Sequence, residues 1–507
     1  MKKWIYISII GLLSTSCSSD FLDLSSEHQL NESTFFQTEE HFTQAINGAY
    51  EGLRGIYGVY GALVSEMRSD NTHYFRYEAD RAQRQYEEIA DFIDDQQNIV
   101  SDDMYYGCYA AISRVNTVLS KIEGKPFSES FKNSAIGQMK FLRAFFYFQL
   151  VRYYGDVCLY LEEVNVPGDT FLPRSPIDDV YQQILADVND AITKLPVVQF
   201  PQNGRATQGT ARMLLAYVLM TKSTKDYQGA EAQLREIMKM GYELLPDYAD
   251  IYEPSKKNHK ESLFEVQYQQ GDQGQQSNWL YYFIPRTAEA EIITGVSGSN
   301  TISDAGWNLP TQEMVDSYEE GDLRIYPSIA VIAGRNDEYG RFVYEKVLTI
   351  GDSEIDNYPV FFYFINKYRH PHAKIKNTDD NWPVYRYADV LLLLAECLVE
   401  QGRAAEAVPY INMVRQRAGL PDVKTVDGQV VANERRHELA FENHRWFDLL
   451  RTGKAIEVMT EHGKRMKALY PYLQERTYQL TKDRLIYPIP YRELQINSQL
   501  TQNPGYN

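Results

Sequence analysis

Cysteine, tryptophan and basic charge are all in short supply in this 507-residue chain. The four Cys, at 17, 108, 158 and 397, form no CxxC pair and no zinc spacing, which excludes a disulfide scaffold. Lys and Arg number 51 against 69 Asp and Glu, for a net charge of -18. Phosphate recognition needs clustered cations, so this balance argues against a nucleic-acid partner. No apolar run reaches the roughly 20 residues that a spanning helix requires. No GxGxxG, P-loop or EF-hand loop occurs. His437-Glu438 opens a zincin-like string, but the position for the second His holds Phe441. Gly295-Val-Ser297-Gly298 stops short of a nucleophile elbow, because Ser299 stands where Gly is needed. No catalytic residue, metal ligand or cofactor is expected. Tyr is plentiful instead, at 39 against 22 Phe and 5 Trp. Its apolar face and polar tip suit half-wet surfaces.

The first residues address the chain. Lys2 and Lys3 precede an apolar run of ten residues, Trp4 to Leu13, which reads as the core of a secretory signal. Small residues Ser14-Thr15-Ser16 then lead to Cys17, a pattern that resembles a bacterial lipobox. Residues 1–16 are expected to be a lipoprotein signal peptide, with Cys17 lipidated. Acyl chains would anchor the body to a membrane without any span. The other three Cys are expected to be buried small hydrophobes.

Beyond a polar leash over 18–37, helical periodicity dominates residues 17–240. Thr38 can cap a helix carrying Phe42, Ala45, Ile46, Ala49 and Leu53 on one face. A second helix bears Ile112, Val115, Leu119 and Ile122. Gln138 to Tyr154 is apolar nearly all round and should be buried on most sides. Ser175-Pro176-Ile177-Asp178 predicts an N-cap followed by Pro at the first helical position. Thr210–Thr221 with Tyr227–Met240, and Tyr387–Gln401 with Ala404–Ala418, make two helix pairs resembling tetratricopeptide hairpins. Pro409 should kink the last of these or delay its start. Glu434 to Leu450 predicts one more helix. Its alternating charges read as intrahelical pairs around a buried aromatic. Residues 241–507 form a second region, interrupted over 243–382 by Gly, Asn, Gln, Tyr and Trp. Strand-like bits occur there at Leu263–Tyr268 and Phe342–Leu348. Loops this long are usually functional.

The aromatic loops are the candidate ligand site. Trp279, Tyr281 and Tyr282 cluster after a Gly/Gln segment, and Trp307 follows Gly306. Tyr74 and Tyr77 follow Asp70 and Asn71. Aromatic faces stack on sugar C–H faces while Asp, Asn and Arg take hydroxyls, a combination typical of small-ligand sites. Arg76, Arg81 and Arg84 would favour an acidic sugar if unpaired.

Five strings in order carry a family resemblance. They are Tyr105-x3-Tyr109-x2-Ile112-x3-Asn116, Arg143 through Gly155-Asp156-Val157, Tyr387-Ala-Asp389 through Glu396, Arg415-x-Arg417-Ala-Gly419 with Glu442-x-His444-Arg-Trp-Phe-Asp448, and Pro488-Ile-Pro490 through Tyr506. With the acidic start after Cys17, the chain resembles the SusD/RagB outer-membrane lipoproteins of the Bacteroidetes over nearly its whole length. The resemblance implies a mainly α fold, a tetratricopeptide-like helical-hairpin scaffold of four units with a loop-rich, irregular ligand-binding half. It implies a non-enzymatic protein, lipid-anchored and exposed at the cell surface. Such a protein captures a nutrient oligomer, commonly a glycan and sometimes a peptide, for a SusC-type TonB-dependent transporter. No binding residue carries over, because the ligand loops share no motif.

Overall fold

The computed structural model describes residues 35–78, 81–166, 168 and 170–506. The expected signal peptide, Cys17 and most of the leash lie outside the described residues.

Helix α1 (Glu39–Ile56) begins as its sequence predicts, with the Thr38 hydroxyl accepting from the His41 N–H, and it buries Phe42, Ile46, Ala49 and Leu53. A short α2 (Val59–Ser65) and α3 (Arg84–Ala90) lead to α4 (Ile99–Ile122) and α5 (Glu129–Tyr154). Ser128 caps α5, Gly155 ends it at φ 71°, and its last turns are buried on every side. Next come α6 (Ile177–Lys194), α7 (Gln208–Thr221) and α8 (Tyr227–Ile237). The insert holds three single turns, α9 (Glu291–Thr294), α10 (Gln312–Asp316) and α11 (Ile325–Ser328). After it, α12 (Tyr387–Glu400) and α13 (Ala404–Arg417) form a hairpin, followed by α14 (Gly428–Glu438), α15 (Arg445–Arg451), α16 (Ala455–Leu469) and α17 (Tyr491–Ile496).

The long helices stack in pairs. α1 packs on α4, α5 on α6, α7 on α8 and α12 on α13; α4 touches α5, α6 touches α7, and α8 touches α12. This is a helical-hairpin scaffold, in which each pair buries the face its neighbour leaves open. The last pair arrives from beyond the insert, so the scaffold closes across residues far apart in sequence.

Among the described residues the insert and its end supply six short strands, β2 (Ser262–Val266), β3 (Leu309–Pro310), β4 (Ile329–Asn336), β5 (Phe342–Leu348), β6 (Val360–Ile365) and β7 (Trp382–Arg386), and the N-terminal region adds β1 (Thr72–His73). β4 is central, antiparallel to both β5 and β6. β2 pairs with β7, and β1 with β3. A separate small core of Leu280, Tyr281, Ile284, Ile332, Phe342 and Phe364 lies under the three-stranded sheet. Cys108, Cys158 and Cys397 are free and buried.

Three local expectations are corrected. Ser175 does not cap α6: its backbone pairs with Val157 instead, and the Asp156 carboxylate accepts from the Ile177 N–H in its place. Pro409 does not delay α13, which starts at Ala404 and carries Pro409 inside it. The helix expected over Glu434–Leu450 is two, α14 and α15. Phe441 and Asn443 between them turn left-handed, at φ 63° and 66°. That turn aims both their N–H groups at the Glu66 carboxylate, at 3.3 and 3.0 Å. The strained backbone, which costs about 1–3 kcal/mol per residue, is held by that buried acceptor.

The charges of this string are buried, and they pair between elements rather than along one helix. Arg386 reaches Glu261, Glu438 and Glu442 at 2.8–2.9 Å. Arg324 holds Asp322, Glu434 and Glu438, and Lys367 holds Glu442 at 2.7 Å. Burial pushes the Glu438 carboxyl up, but Arg417, Arg386 and Arg324 outweigh it and keep it well below the carboxylate range. The cluster ties α14 to β2, β7 and the insert.

Candidate functional site

The short β1–β3 pairing brings residues 72–73 against 309–310. It sets His73, Tyr74, Phe75 and Arg76 along one wall of an open cleft of about 380 Å³. Gln312 and β6 residues Phe361, Phe362 and Tyr363 form the opposite wall. The end of α16 and the turn after it supply Leu469, Tyr470 and Tyr472.

Tyr470 and Tyr472 make the platform. Their rings stack at 5.4 Å and 29°, and both are half-exposed. Behind them the buried His73 ring stacks on Tyr470 at 4.9 Å. The His73 Nε2 and the Tyr472 hydroxyl lie 3.2 Å apart. Burial pulls His73 down to about 3, so this ring is neutral across the physiological range. Burial likewise raises the Tyr472 phenol, which stays protonated. The Arg76 guanidinium sits 4.7 Å over the Tyr472 ring and donates to the Tyr472 carbonyl at 3.3 Å. Across the cleft Phe361 is exposed and Tyr363 half-exposed, and the Tyr363 hydroxyl donates to Gln312 at 3.0 Å. The cleft thus combines partly exposed aromatic rings with a few fixed polar groups, the chemistry of a site for a ring with apolar faces and a polar rim.

The eight residues singled out from sequence fall into four groups. Trp279, Tyr281 and Trp307 are core residues, at most 1% exposed. The Trp279 indole donates to the Tyr57 carbonyl at 3.2 Å and meets Tyr268 and Trp382 edge-on at 4.7 and 5.0 Å. The Trp307 indole donates to Gln83, and the Tyr281 hydroxyl lies 2.8 Å from His372. The expectation that these rings present faces to a ligand is corrected. A long irregular insert needs its own core, and its largest apolar rings fill it. Asp70 and Asn71 are also buried, and lie beneath the cleft wall. Asp70 accepts from Arg445 at 2.8 and 2.9 Å; Asn71 donates to Glu66 and accepts from Arg436, both at 2.8 Å. Tyr74 lines the cleft but is nearly buried, its hydroxyl donating to Asp91 at 3.0 Å. Tyr77 and Tyr282 keep partly exposed rings; the Arg286 guanidinium lies 5.7 Å from Tyr77 and the Lys376 ammonium 6.0 Å from Tyr282.

Arg76, Arg81 and Arg84 do not make a free basic patch. They pair with Glu78, Glu87 and Glu88 respectively. Sequence reasoning passed over Tyr470 and Tyr472. The signal was there in Leu469-Tyr-Pro-Tyr472, a pair of aromatics around a Pro that must leave the helix.

Two family models match the chain. One, described as the SusD family, matches residues 260–506. The other, described as starch-binding and associating with the outer membrane, matches residues 20–219. Among curated proteins, a SusD-like protein P38 of Formosa agariphila is 26% identical over the whole of both chains. A SusD-like protein of Bacteroides ovatus is 23% identical, over 89% of this chain and 82% of its own. Among solved structures, a laminarin-binding SusD-like protein is 26% identical with a TM-score of 0.74, covering 93% of this chain and all of its own. A SusD superfamily protein of Bacteroides vulgatus, 24% identical over the same shares, has the same fold at a TM-score of 0.74.

Proposed function

Since the chain belongs to the SusD/RagB family, we propose that it is a cell-surface glycan-binding lipoprotein, anchored through Cys17, that captures an oligosaccharide for a SusC-type TonB-dependent transporter. The observation that carries the ligand class is the stacked, half-exposed Tyr470–Tyr472 platform. Two of its neighbours in the cleft, Phe361 and Tyr363, offer further ring faces. The laminarin-binding relative supports the same class. The carboxylate partners of Arg76, Arg81 and Arg84 favour a neutral polymer over an acidic one. Binding and release need no covalent step. The outer-membrane association in the family description supports the location.

Calorimetric titration tests the reading. The protein is titrated with neutral glucans, uronate-containing oligosaccharides and peptides, with Tyr472→Ala alongside. Saturable heat with a neutral glycan, lost in a normally folded Tyr472→Ala, is expected. Unchanged glycan binding by that variant would remove the cleft as the site, and a preference for peptide would overturn the ligand class.

A further inference from the structure

A second pocket, of about 310 Å³, shares no lining residue with the aromatic cleft. It opens between α4, the chain after Cys158 and α17. Its walls carry the rings of Tyr106, Tyr109, Tyr160 and Phe171. Tyr109 and Tyr160 meet edge to face at 5.8 Å.

The polar groups of these walls are mostly committed within the protein. The Tyr109 hydroxyl donates to the Cys158 carbonyl at 3.0 Å and the Tyr160 hydroxyl to the Thr170 carbonyl at 2.7 Å. The Asn116 amide donates to the Tyr160 and Glu162 carbonyls at 2.9 and 3.2 Å. Two carboxylates remain. Glu493 of α17 stands half-exposed on the pocket wall, next to the buried Tyr106 hydroxyl. Glu162 lines the pocket as well and is exposed. Among the described residues no Lys or Arg lines the pocket. Arg174, nearby, spends its donors on Asp156, Tyr154, Thr501 and Asn503. Arg492 is exposed.

An oligosaccharide would leave most of its hydroxyls unpartnered here, so the pocket does not duplicate the cleft. Tyrosine faces attract cations through the negative face of the ring. The carboxylates on its wall suit an N–H donor. We infer that this pocket binds a small organic cation, a primary ammonium on an apolar stem, with the ammonium at the Glu493 carboxylate and the stem among the tyrosine rings. Ordinary ligand pockets start near 300 Å³ or so, which fits an amine of one ring.

The probe is 2-phenylethylammonium, titrated calorimetrically into the full-length protein. Phenylethanol and phenylpropanoate serve as its neutral and anionic counterparts. Saturable binding of the ammonium alone is expected. Glu493→Gln should weaken it about tenfold, the size of one charge-assisted hydrogen bond. Ser113→Trp, an exposed wall position, should block it while leaving glycan binding at the cleft unchanged. Phenylethanol binding as tightly as the ammonium, indifference to Glu493→Gln in a folded variant, or no binding at all would each overturn the assignment.

Discussion

Replacing Trp279 by Ala separates a core ring from a ligand platform. The residue is 1% exposed, and three rings surround it: Tyr268 at 4.7 Å, Trp382 at 5.0 Å and Tyr368 at 5.3 Å. Truncating a buried Trp costs about 3–5 kcal/mol through lost transfer energy and the cavity left behind. The Tyr57 carbonyl also loses its indole donor, which adds about 1 kcal/mol or more if no water reaches it. The total, about 4–6 kcal/mol, is a large share of the roughly 5–15 kcal/mol that holds a domain folded. Trp279→Phe keeps most of the apolar volume and should cost about half as much, since cavity cost scales with the space vacated. Urea unfolding followed by circular dichroism reads both midpoints, and calorimetry reads glycan affinity. We expect the midpoint to fall steeply for Ala and less for Phe, with any folded fraction binding glycan normally. A Trp279→Ala protein with an unchanged midpoint and abolished glycan binding would refute the burial argument and return this ring to the ligand site.

Arg386→Met should cost about 3–5 kcal/mol, because it strands Glu261, Glu438 and Glu442 as buried carboxylates short of a partner; a thermal melt within a degree or two of the parent would contradict this. His462, fully buried with both ring nitrogens unpartnered among the described residues, is pulled from 6.5 down to about 4 by burial, so the native state stays neutral where the unfolded chain gains a proton and stability falls as pH drops through that window. His462→Leu should therefore remove about 2 kcal/mol of the loss between pH 6.5 and pH 5, and parallel urea profiles for variant and parent would rule it out. Glu66 acts with the opposite sign: burial lifts it from 4.5 to about 7 against hydrogen bonds from Asn71, Asn443 and Phe441, so its contribution is complete below 4.5 and is lost as pH rises to 7. Glu66→Gln should flatten that rise-dependent loss in the same urea series, and a slope identical to the parent's would exclude the shift.

The scaffold was legible because local rules govern it. Thr38 caps α1, and the apolar face of Phe42, Ile46, Ala49 and Leu53 lands in the core as its spacing requires. The fully apolar stretch before Tyr154 is buried as such stretches must be. What failed were positions whose outcome depends on residues far away in sequence. A Ser-Pro start predicts a cap at Ser175, but the partner that wins is the backbone of Val157. A charge-rich string over 434–448 reads as one helix with intrahelical pairs around a buried aromatic. It is broken because Glu66, nearly four hundred residues earlier, accepts from Phe441 and Asn443.

The same asymmetry governs the site. A tryptophan in a Gly-rich loop is consistent with a sugar platform and with a plug for an irregular core, and composition alone does not separate the two. Only packing does, by showing that Trp279 and Trp307 are buried with ring neighbours and satisfied indoles while Tyr470 and Tyr472 stay half-exposed. The chain seats its described tryptophans inside, with many tyrosines, and the aromatic rings left half-exposed in the cleft include Tyr363, Tyr470 and Tyr472. That division follows from the rings themselves: an exposed indole forfeits more apolar burial than an exposed phenol, and a phenol carries its own hydrogen-bonding tip to the water line. In a chain with 39 Tyr and 5 Trp, four of the tryptophans, at 279, 307, 382 and 446, are fully buried. The proposed cleft and the second pocket are accordingly lined by tyrosines rather than tryptophans.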